Sequence, residues 1–243
     1  MHPYVDGVIK KIEAATKNQE ESLEEIAAIL ADKVEKGGIL HILGTGHSHM
    51  IAEEVFYRAG GAAFVNPILD HGLMLNDGTA KSTRLERLPG YAAAILKDVD
   101  LQAKDMFLVV SNSGRNVVPI EATNYAKEKG LFTLAISSFK HSQSVESRHE
   151  SGKRLFEITD LALDNYGELG DALLQLEDSK DSYGPTSSAV GIVLIQTLIS
   201  MTIEKLAEKD IELPLFRSAN LDNSGEHNEK ITEKYAKRIP KLR

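Results

Sequence analysis

The amino-acid sequence predicts an α/β protein of three layers, in which helices cover both faces of a doubly wound parallel sheet of about five strands. Short apolar runs alternate along the chain with longer segments whose apolar residues recur at helical spacing. Most of the runs lack strict alternation of polar and apolar residues, as is typical of strands covered on both faces. Two turns rich in glycine, serine and threonine each lie between such a run and a predicted helix.

The predicted strands are five apolar runs between the helical segments. They are Ile39–Leu43, Ala62–Val65, Met106–Val110, Leu131–Ile136 and Leu155–Ile158, and an extension of the last one to Leu163 is an alternative. Ligands of such sheets bind at the carboxyl ends of the strands. The sequence therefore places both glycine-serine turns at the edge of the sheet where a ligand is expected.

The helical segments are predicted from apolar spacing and from glycine stop signals. The first runs from Tyr4 to Lys36, is broken near Asn18 and is ended by Gly37-Gly38. The others are Ser48–Ala59, Thr83–Lys97, Val117–Lys129, Pro185–Lys209 and Glu229–Arg238. Residues 138–154 are polar and rich in serine and histidine, and they are predicted to form a surface loop of the kind that acts as a lid.

Length and composition favour one domain over residues 1–243, with an N-terminal helical segment at 1–36 packed on it and a C-terminal loop and helix at 210–243. Cysteine is absent, which excludes disulfides and thiol chemistry and fits a cytoplasmic location. The formal net charge of −8 disfavours nucleic-acid binding. The N-terminus does not resemble a signal peptide, and the apolar stretch Ala189 to Ile203 is judged too short to span a bilayer.

The turn Ser111-Asn112-Ser113-Gly114 follows the third predicted strand and precedes a predicted helix. Gly44-Thr45-Gly46-His47-Ser48 stands in the same context after the first strand. The first amides of a helix are unpaired and the helix dipole favours negative charge, so such turns bind anions. The alternative for the Ser111 turn is a helix N-cap without a ligand.

Two nucleotide-binding patterns are disfavoured. Position 49 is histidine where a dinucleotide fingerprint has its third glycine, and no acidic residue clearly follows the second strand. The P-loop pattern with its lysine is absent. No cofactor is therefore expected.

Taken together, the motifs resemble those of the sugar isomerase (SIS) family of phosphosugar-binding domains. That family has a G-x-G-x-S-like turn after its first strand, an S-x-S-G-x-[ST] turn after a later one and a serine-rich start to a late helix. The chain has Gly44 to Ser48, Ser111 to Asn116, and Gly184-Pro185-Thr186-Ser187-Ser188 in the corresponding places. The resemblance implies a flavodoxin-type sheet and a phosphorylated sugar or amino sugar as ligand.

The resemblance also implies a set of binding residues. Arg115 is an additional phosphate contact or an exposed side chain. The residues expected to bind the phosphosugar are Gly46, Ser48, Ser111, Asn112, Ser113, Gly114, Asn116, Ser187 and Ser188.

Isomerisation of a phosphosugar needs a base beside the carbonyl and an acid to move the proton, and carboxylates and histidine are the usual suppliers. Glu54, Glu86 and His227 are the candidates. Glu86 is alternatively an ion-pair partner of a neighbour, and His71 is a further option. Phosphoheptose isomerases, which belong to the same family, have a histidine on the late helix, whereas Thr186–Lys209 contains none.

His47 and His49 resemble a metal-binding pair, but residues two apart at a helix start do not face each other, so a metal is disfavoured. The resemblance implies a homodimer or homotetramer with sites near the subunit interface. The expected function is isomerisation by acid-base proton transfer. The alternatives are a phosphosugar sensor without turnover and an amino-sugar phosphate lyase or etherase.

Overall fold

Five parallel strands form the central sheet of the computed structural model, which describes residues 1–209, 211–222 and 224–243. Their spatial order is β2-β1-β3-β4-β5, so the chain winds outward in both directions from the adjacent strands β1 and β3. The strands are β1 (Leu40–Gly44), β2 (Val65–Ile68), β3 (Met106–Val110), β4 (Phe132–Ser137) and β5 (Leu161–Asp164). The predicted doubly wound, five-stranded parallel sheet is confirmed.

Two predicted strands differ from the observed ones. β2 begins at Val65, whereas Ala62 makes an isolated antiparallel bridge with Leu215. The prediction of a strand at Leu155–Ile158 is wrong, because Leu155–Glu157 is a single 3-10 turn and β5 starts at Leu161. Leu155 is apolar because it is fully buried beneath the Ser111 turn, where its N–H donates to the Gly114 carbonyl over 2.8 Å.

The nine helices in the described part of the chain differ from the predicted segments in number and in length, and the one at Phe139–Gln143 lies in the predicted loop 138–154. The predicted break near Asn18 is confirmed, whereas the segment Thr83–Lys97 is divided by Pro89 and by Gly90, whose φ of 78° interrupts the helix. The helices are α1 (Pro3–Lys17), α2 (Glu20–Glu35), α3 (His49–Glu54), α4 (Thr79–Leu85), α5 (Tyr91–Leu96), α6 (Val117–Glu128), α7 (Phe139–Gln143), α8 (Ser187–Ala207) and α9 (Ser224–Tyr235). A small hairpin pairs β6 (Leu174–Gln175) with β7 (Ser182–Tyr183).

Two buried clusters, one on each face of the sheet, form the core. On one face Ile42 and Leu108 pack with apolar residues of α2, α3 and α8. On the other face Phe107 and Val109 pack with α5 and α6. Burial of both faces explains why the strand segments are continuously apolar.

Helix α8 is longer than the sequence argument allowed. It has 21 residues and is the one helix in the described ranges that is long and apolar enough to cross a membrane by length and composition. The prediction that this stretch is too short was therefore wrong. In the folded chain Val190, Leu194 and Leu198 of α8 are fully buried, and the helix packs against α1, α2 and α3.

Candidate functional site

The two glycine-serine turns lie side by side at the carboxyl edge of the sheet. Gly44, the last residue of β1, is the register partner of Val110, the last residue of β3. Thr45 and Ser111 therefore leave the sheet from adjacent positions. This is the point where the chain switches direction, and open α/β sheets bind their ligands in the crevice there.

The first turn folds tightly because Gly44 has no side chain. A Cβ at Gly44 would lie 2.3 Å from the Ser48 carbonyl oxygen and 2.7 Å from the His49 nitrogen. Gly46 has a φ of 55°, a conformation that favours glycine. The turn thus brings the N–H of Ser48 to the Thr45 carbonyl, 3.0 Å away, and starts α3 at His49.

Hydrogen bonds of buried serines stabilise the second turn. The Ser111 hydroxyl accepts the Gly114 N–H over 3.2 Å, and the Ser137 hydroxyl donates to the Ser111 carbonyl over 2.7 Å. Gly114 has a φ of 58°, and a Cβ there would lie 3.1 Å from the Ser142 hydroxyl oxygen. Ser111 is only 4% exposed, so its hydroxyl shapes the turn.

Several donors of these turns are unused. Among the residues that the structure describes, the hydroxyls of Ser48 and Ser113 and the N–H groups of Ser113 and Arg115 make no hydrogen bond. Ser113 and Arg115 precede the twelve-residue helix α6, whose dipole favours an anion, and Ser48 precedes α3. The arrangement is chemically suited to an anion that accepts several hydrogen bonds.

Glu86 connects the first turn to helix α6. Its side chain accepts a short hydrogen bond from the Thr45 hydroxyl, and its carbonyl accepts the Val118 N–H at 3.1 Å. Thr45 is 5% exposed and Glu86 is half-buried, so the carboxylate lies against the first turn with limited access to water. Of the three predicted acid-base candidates, Glu86 is the one that contacts the turn residues.

Arginines add positive charge to the second turn. The Arg148 N–H donates to the Arg115 carbonyl over 2.8 Å, and its guanidinium donates to the Asn116 amide oxygen over 2.6 Å. Burial lowers the pKa of Arg148, the charges of Arg115 and Arg87 lower it further, and Glu86 opposes the shift. Arg148 belongs to the segment 138–154, and sequence reasoning missed it because a loop residue has no periodic pattern.

The side chain of Asn112 is engaged by a neighbouring loop. Its amide oxygen accepts from Asn165 over 2.9 Å, and Asn165 in turn accepts the Gly167 N–H over 2.8 Å. The Ser138 hydroxyl donates to the Gly167 carbonyl over 2.7 Å. These bonds join the loops that follow β3, β4 and β5 into one wall of the crevice.

The start of α8 is capped by an aspartate that sequence reasoning missed. Asp171 accepts the N–H groups of Thr186 and Ser187 over 2.9 and 3.0 Å, and the Ser187 hydroxyl over 2.5 Å. Asp171 has a φ of 55°, which is unusual for a residue other than glycine. The carboxylate occupies the position at which the predicted contact of Ser187 and Ser188 with a phosphosugar would place an anion.

His141 lies between the α8 cap and the second turn. Its Nδ1 accepts the Gly170 N–H over 3.1 Å. Burial lowers its pKa, and the charge of Asp171 opposes this shift while that of Arg115 adds to it. Because Nδ1 accepts this N–H, the neutral form of the imidazole carries its proton on Nε2.

The remaining predicted acid-base residues make no hydrogen bond to the turns within the described part of one chain. Glu54 forms an ion pair with Arg58 one turn further along the chain. His227 is within 2.9 Å of the Leu215 carbonyl, next to the entry into β2 and thus at the opposite end of the sheet. His71 begins the short turn that follows β2 and is exposed. Asn223, which precedes α9 in the sequence, lies outside the described residues.

The histidine pair does not form a metal site in the described part of the chain. His47 is exposed, whereas His49 contacts the Gly46 carbonyl and lies 3.6 Å from Glu53. Across residues 1–209, 211–222 and 224–243, no three acidic or histidine side chains converge as metal ligands would. His41, on β1, is fully buried between Asp105 at 3.2 Å and Asn66 at 2.9 Å.

Comparison with known proteins identifies close sequence relatives. Residues 3–138 match the family model described as the SIS domain. A UPF0309 protein of Geobacillus sp. strain WCH70 is 42% identical over 239 residues, which are 98% of this chain and 97% of the relative. A UPF0309 protein of Listeria innocua is 41% identical over the same shares of both chains.

Solved structures share the fold at lower sequence identity. A phosphoheptose isomerase from Francisella tularensis superposes with a TM-score of 0.52 at 15% identity, covering 83% of this chain and 95% of that one. A phosphoheptose isomerase from Neisseria gonorrhoeae has a TM-score of 0.50 at 16% identity, with 80% and 92% covered.

Proposed function

This chain belongs to the SIS domain family, and on that premise we propose that it binds a phosphorylated sugar or amino sugar where β1 and β3 end. One observation carries the proposal. The two turns leave adjacent strands and present unused donors, from Ser48 before α3 and from Ser113 and Arg115 before α6. A phosphate monoester carries three acceptor oxygens and about two negative charges at pH 7, which matches such a set of donors.

The proposed phosphate site consists of neutral hydrogen-bond donors. The N–H groups of Ser113 and Arg115 and the hydroxyls of Ser48 and Ser113 would bind the phosphate oxygens, while Ser111 and Gly114 hold the shape of the turn. Neutral donors at a helix start bind an anion without a compensating lysine. This mode suits a protein whose net charge is −8.

Other predicted contacts require a change in the structure. Asn112 and Asn116 already bind Asn165 and Arg148. Ser187 reaches a phosphosugar only after the Asp171 carboxylate leaves the start of α8, and Ser188 follows it on the same helix. They stay predictions, and we expect them to contact the sugar hydroxyls and not the phosphate.

We further propose that the bound sugar is isomerised. A carboxylate removes the proton from the carbon next to the open-chain carbonyl, an enediol forms, and the proton returns to the neighbouring carbon. Glu86 is the preferred base, because its carboxylate contacts Thr45 of the first turn and its carbonyl accepts an N–H from the first residues of α6. Glu54 is the alternative, and its ion pair with Arg58 would have to open first.

The proposal includes a homodimer or homotetramer, as the resemblance to the family implies. Within one chain His227 lies at the opposite end of the sheet from the turns. Its predicted catalytic role therefore requires that a second copy of the chain brings it to the site. Measurement of the mass in solution, together with activity of mixed His227→Asn and Glu86→Gln chains, tests this arrangement.

Proton exchange with solvent tests the proposed activity. The full chain is incubated in deuterated water with glucose 6-phosphate, fructose 6-phosphate, glucosamine 6-phosphate and sedoheptulose 7-phosphate, and NMR follows the proton beside the carbonyl. Isomerase activity predicts exchange together with aldose-ketose conversion. Elimination of a substituent would indicate the lyase alternative, and binding without exchange would indicate a sensor. Absence of binding by calorimetry for every compound would contradict the proposed ligand class.

A further inference from the structure

Three arginines lie around the start of α6, and we call Arg87, Arg115 and Arg148 the arginine cluster. Arg115 is part of the second turn itself. Arg148 is bound to that turn twice, through its N–H to the Arg115 carbonyl at 2.8 Å and through its guanidinium to Asn116 at 2.6 Å. Arg87 directly follows Glu86, whose carbonyl accepts the Val118 N–H of the same helix.

The charge of the arginine cluster is poorly balanced. The positive charges of Arg115 and Arg87 both act on Arg148, and the carboxylate of Glu86 opposes them. The whole chain has a net charge of −8, so the sign of the cluster is opposite to that of the protein. A concentration of like charges at one helix start costs free energy unless an anion binds there.

A buried donor of the cluster also lacks a partner. The Nε of Arg115 is shielded from solvent and makes no hydrogen bond to any described residue. Buried donors nearly always have a partner, so we read this unpaired donor as a position for a water or a ligand oxygen. The neutral donors of the turn suffice for one phosphate, whereas the guanidinium groups offer further donors in a planar fork that matches a carboxylate or a second phosphate.

We propose that the arginine cluster binds a second acidic group of the ligand, so that the preferred ligand is a sugar phosphate that carries a further carboxylate or phosphate. This inference rests on the proposed function, because it assumes that the Ser111 turn holds the first phosphate. It assigns ligand selection to Arg148, which tethers the segment 138–154 to the turn.

Two matched pairs of ligands test the inference by calorimetry at low salt. Glucitol 6-phosphate and 6-phosphogluconate are both open six-carbon phosphates and differ in a terminal hydroxymethyl against a carboxylate. Fructose 6-phosphate and fructose 1,6-bisphosphate differ in a second phosphate. We expect the diacidic member of at least one pair to bind about tenfold more tightly or better. The pair with the larger ratio identifies the second group as carboxylate or phosphate.

Variants of the cluster distinguish recognition of a second acidic group by Arg148 from a general effect of positive charge. In Arg148→Gln the affinity ratio should fall toward one, and in Arg148→Lys it should be intermediate, because lysine keeps the charge and loses the planar fork. Lys153→Gln removes one positive charge from an exposed residue of the same segment and should leave the ratio unchanged. Thermal unfolding of each variant checks its fold.

The outcomes distinguish the inference from the proposed function. Equal affinities within both pairs, or a ratio that survives in Arg148→Gln, would overturn the second acidic group and leave phosphosugar binding intact. A loss shared equally by both members would assign Arg148 to the first phosphate and also overturn the inference. Absence of binding for all four compounds would overturn both.

Discussion

The side chain of Glu86 accepts a hydrogen bond from the hydroxyl of Thr45, although the two residues are separated by 41 positions. The carbonyl of Glu86 accepts the Val118 N–H at the start of α6 over 3.1 Å. One residue of the segment between β2 and β3 thereby joins the turn after β1 to the helix after β3. This contact places a carboxylate beside the proposed phosphate site.

Replacement of Glu86 tests its role as the base. We expect Glu86→Gln to lower the rate of solvent exchange about 100-fold or more while sugar phosphate still binds, because general base catalysis contributes about 10²–10⁴. Glu54→Gln is the matched control and should stay within a few-fold of the native rate. NMR measurement of the exchange rate of each variant decides which carboxylate is the base. A larger loss in Glu54→Gln than in Glu86→Gln would assign the reaction to Glu54.

Removal of the Ser113 hydroxyl should weaken phosphosugar binding about tenfold, because a hydrogen bond to a charged group contributes about 1.5–3 kcal/mol. The double change Ser111→Ala with Ser113→Ala should abolish measurable binding, since Ser111 also holds the Gly114 N–H. Ser200→Ala, on an exposed position of α8, is the control for both. Undiminished affinity in the double variant, measured by calorimetry, would contradict the site.

Two glycines of the first turn should respond differently to alanine. Gly44→Ala places a Cβ 2.3 Å from the Ser48 carbonyl oxygen and should cost about 3 kcal/mol through overpacking against backbone. Gly46→Ala meets open space and should cost only about 1 kcal/mol, from its φ of 55°. Urea unfolding compares the two variants, and an equal or reversed loss would show that the turn is looser than described.

Asp171 should stabilise α8 as its N-terminal cap. We expect Asp171→Ala to lower the free energy of unfolding by about 1–2 kcal/mol, because the N–H groups of Thr186 and Ser187 lose their acceptor. Asp171→Gly should cost less, since glycine tolerates the φ of 55°. Thermal unfolding measures both effects, and a smaller loss for alanine than for glycine would be evidence against this account.

The Asp171→Ala variant also tests the predicted contact of Ser187. If Ser187 binds the ligand, removal of the competing carboxylate frees the helix start and should tighten binding of the sugar phosphate. An unchanged affinity in a folded Asp171→Ala protein would leave Ser187 with a role in capping alone.

Asp105 should make stability depend on pH in the acidic range. Burial raises the pKa of its carboxyl, but hydrogen bonds from His41, Arg238 and the Gln102 N–H outweigh that effect and hold the pKa well below its ordinary value of 3.8. A lowered pKa in the folded state stabilises the protein above the unfolded value. That contribution is therefore present at neutral pH and is lost as the pH falls below about 4 toward the folded pKa.

The test of this contribution is Asp105→Asn. At pH 7 the variant should lose about 3 kcal/mol, because Arg238 and His41 lose a buried anionic partner. The difference from the native protein should shrink as the pH falls from about 4 to 2 in urea unfolding. A difference that stays constant over this range would show that the Asp105 charge does not stabilise the fold.

The strand-turn-helix units could be predicted from sequence because their signals are local. Met106–Val110 is a continuous apolar run, and the serines and glycine that follow it are typical of a tight turn at a helix start. Leu155 shows the limit of the same reasoning. It is as apolar as a strand residue, but its partner is the underside of the Ser111 turn, 41 positions earlier in the chain.

The doubly wound sheet, the order of its segments along the chain and the two turns at its carboxyl edge follow from local sequence signals, because periodicity and glycine placement act over a few residues. The contacts of Glu86 with Thr45, of Arg148 with Asn116 and of Asp171 with the start of α8 form only when the whole chain folds. These partners come from irregular segments, whose positions depend on how the whole chain packs around the core. The residues of the two turns that we propose as the phosphate site were thus visible in the sequence, whereas the charged residues around them were not.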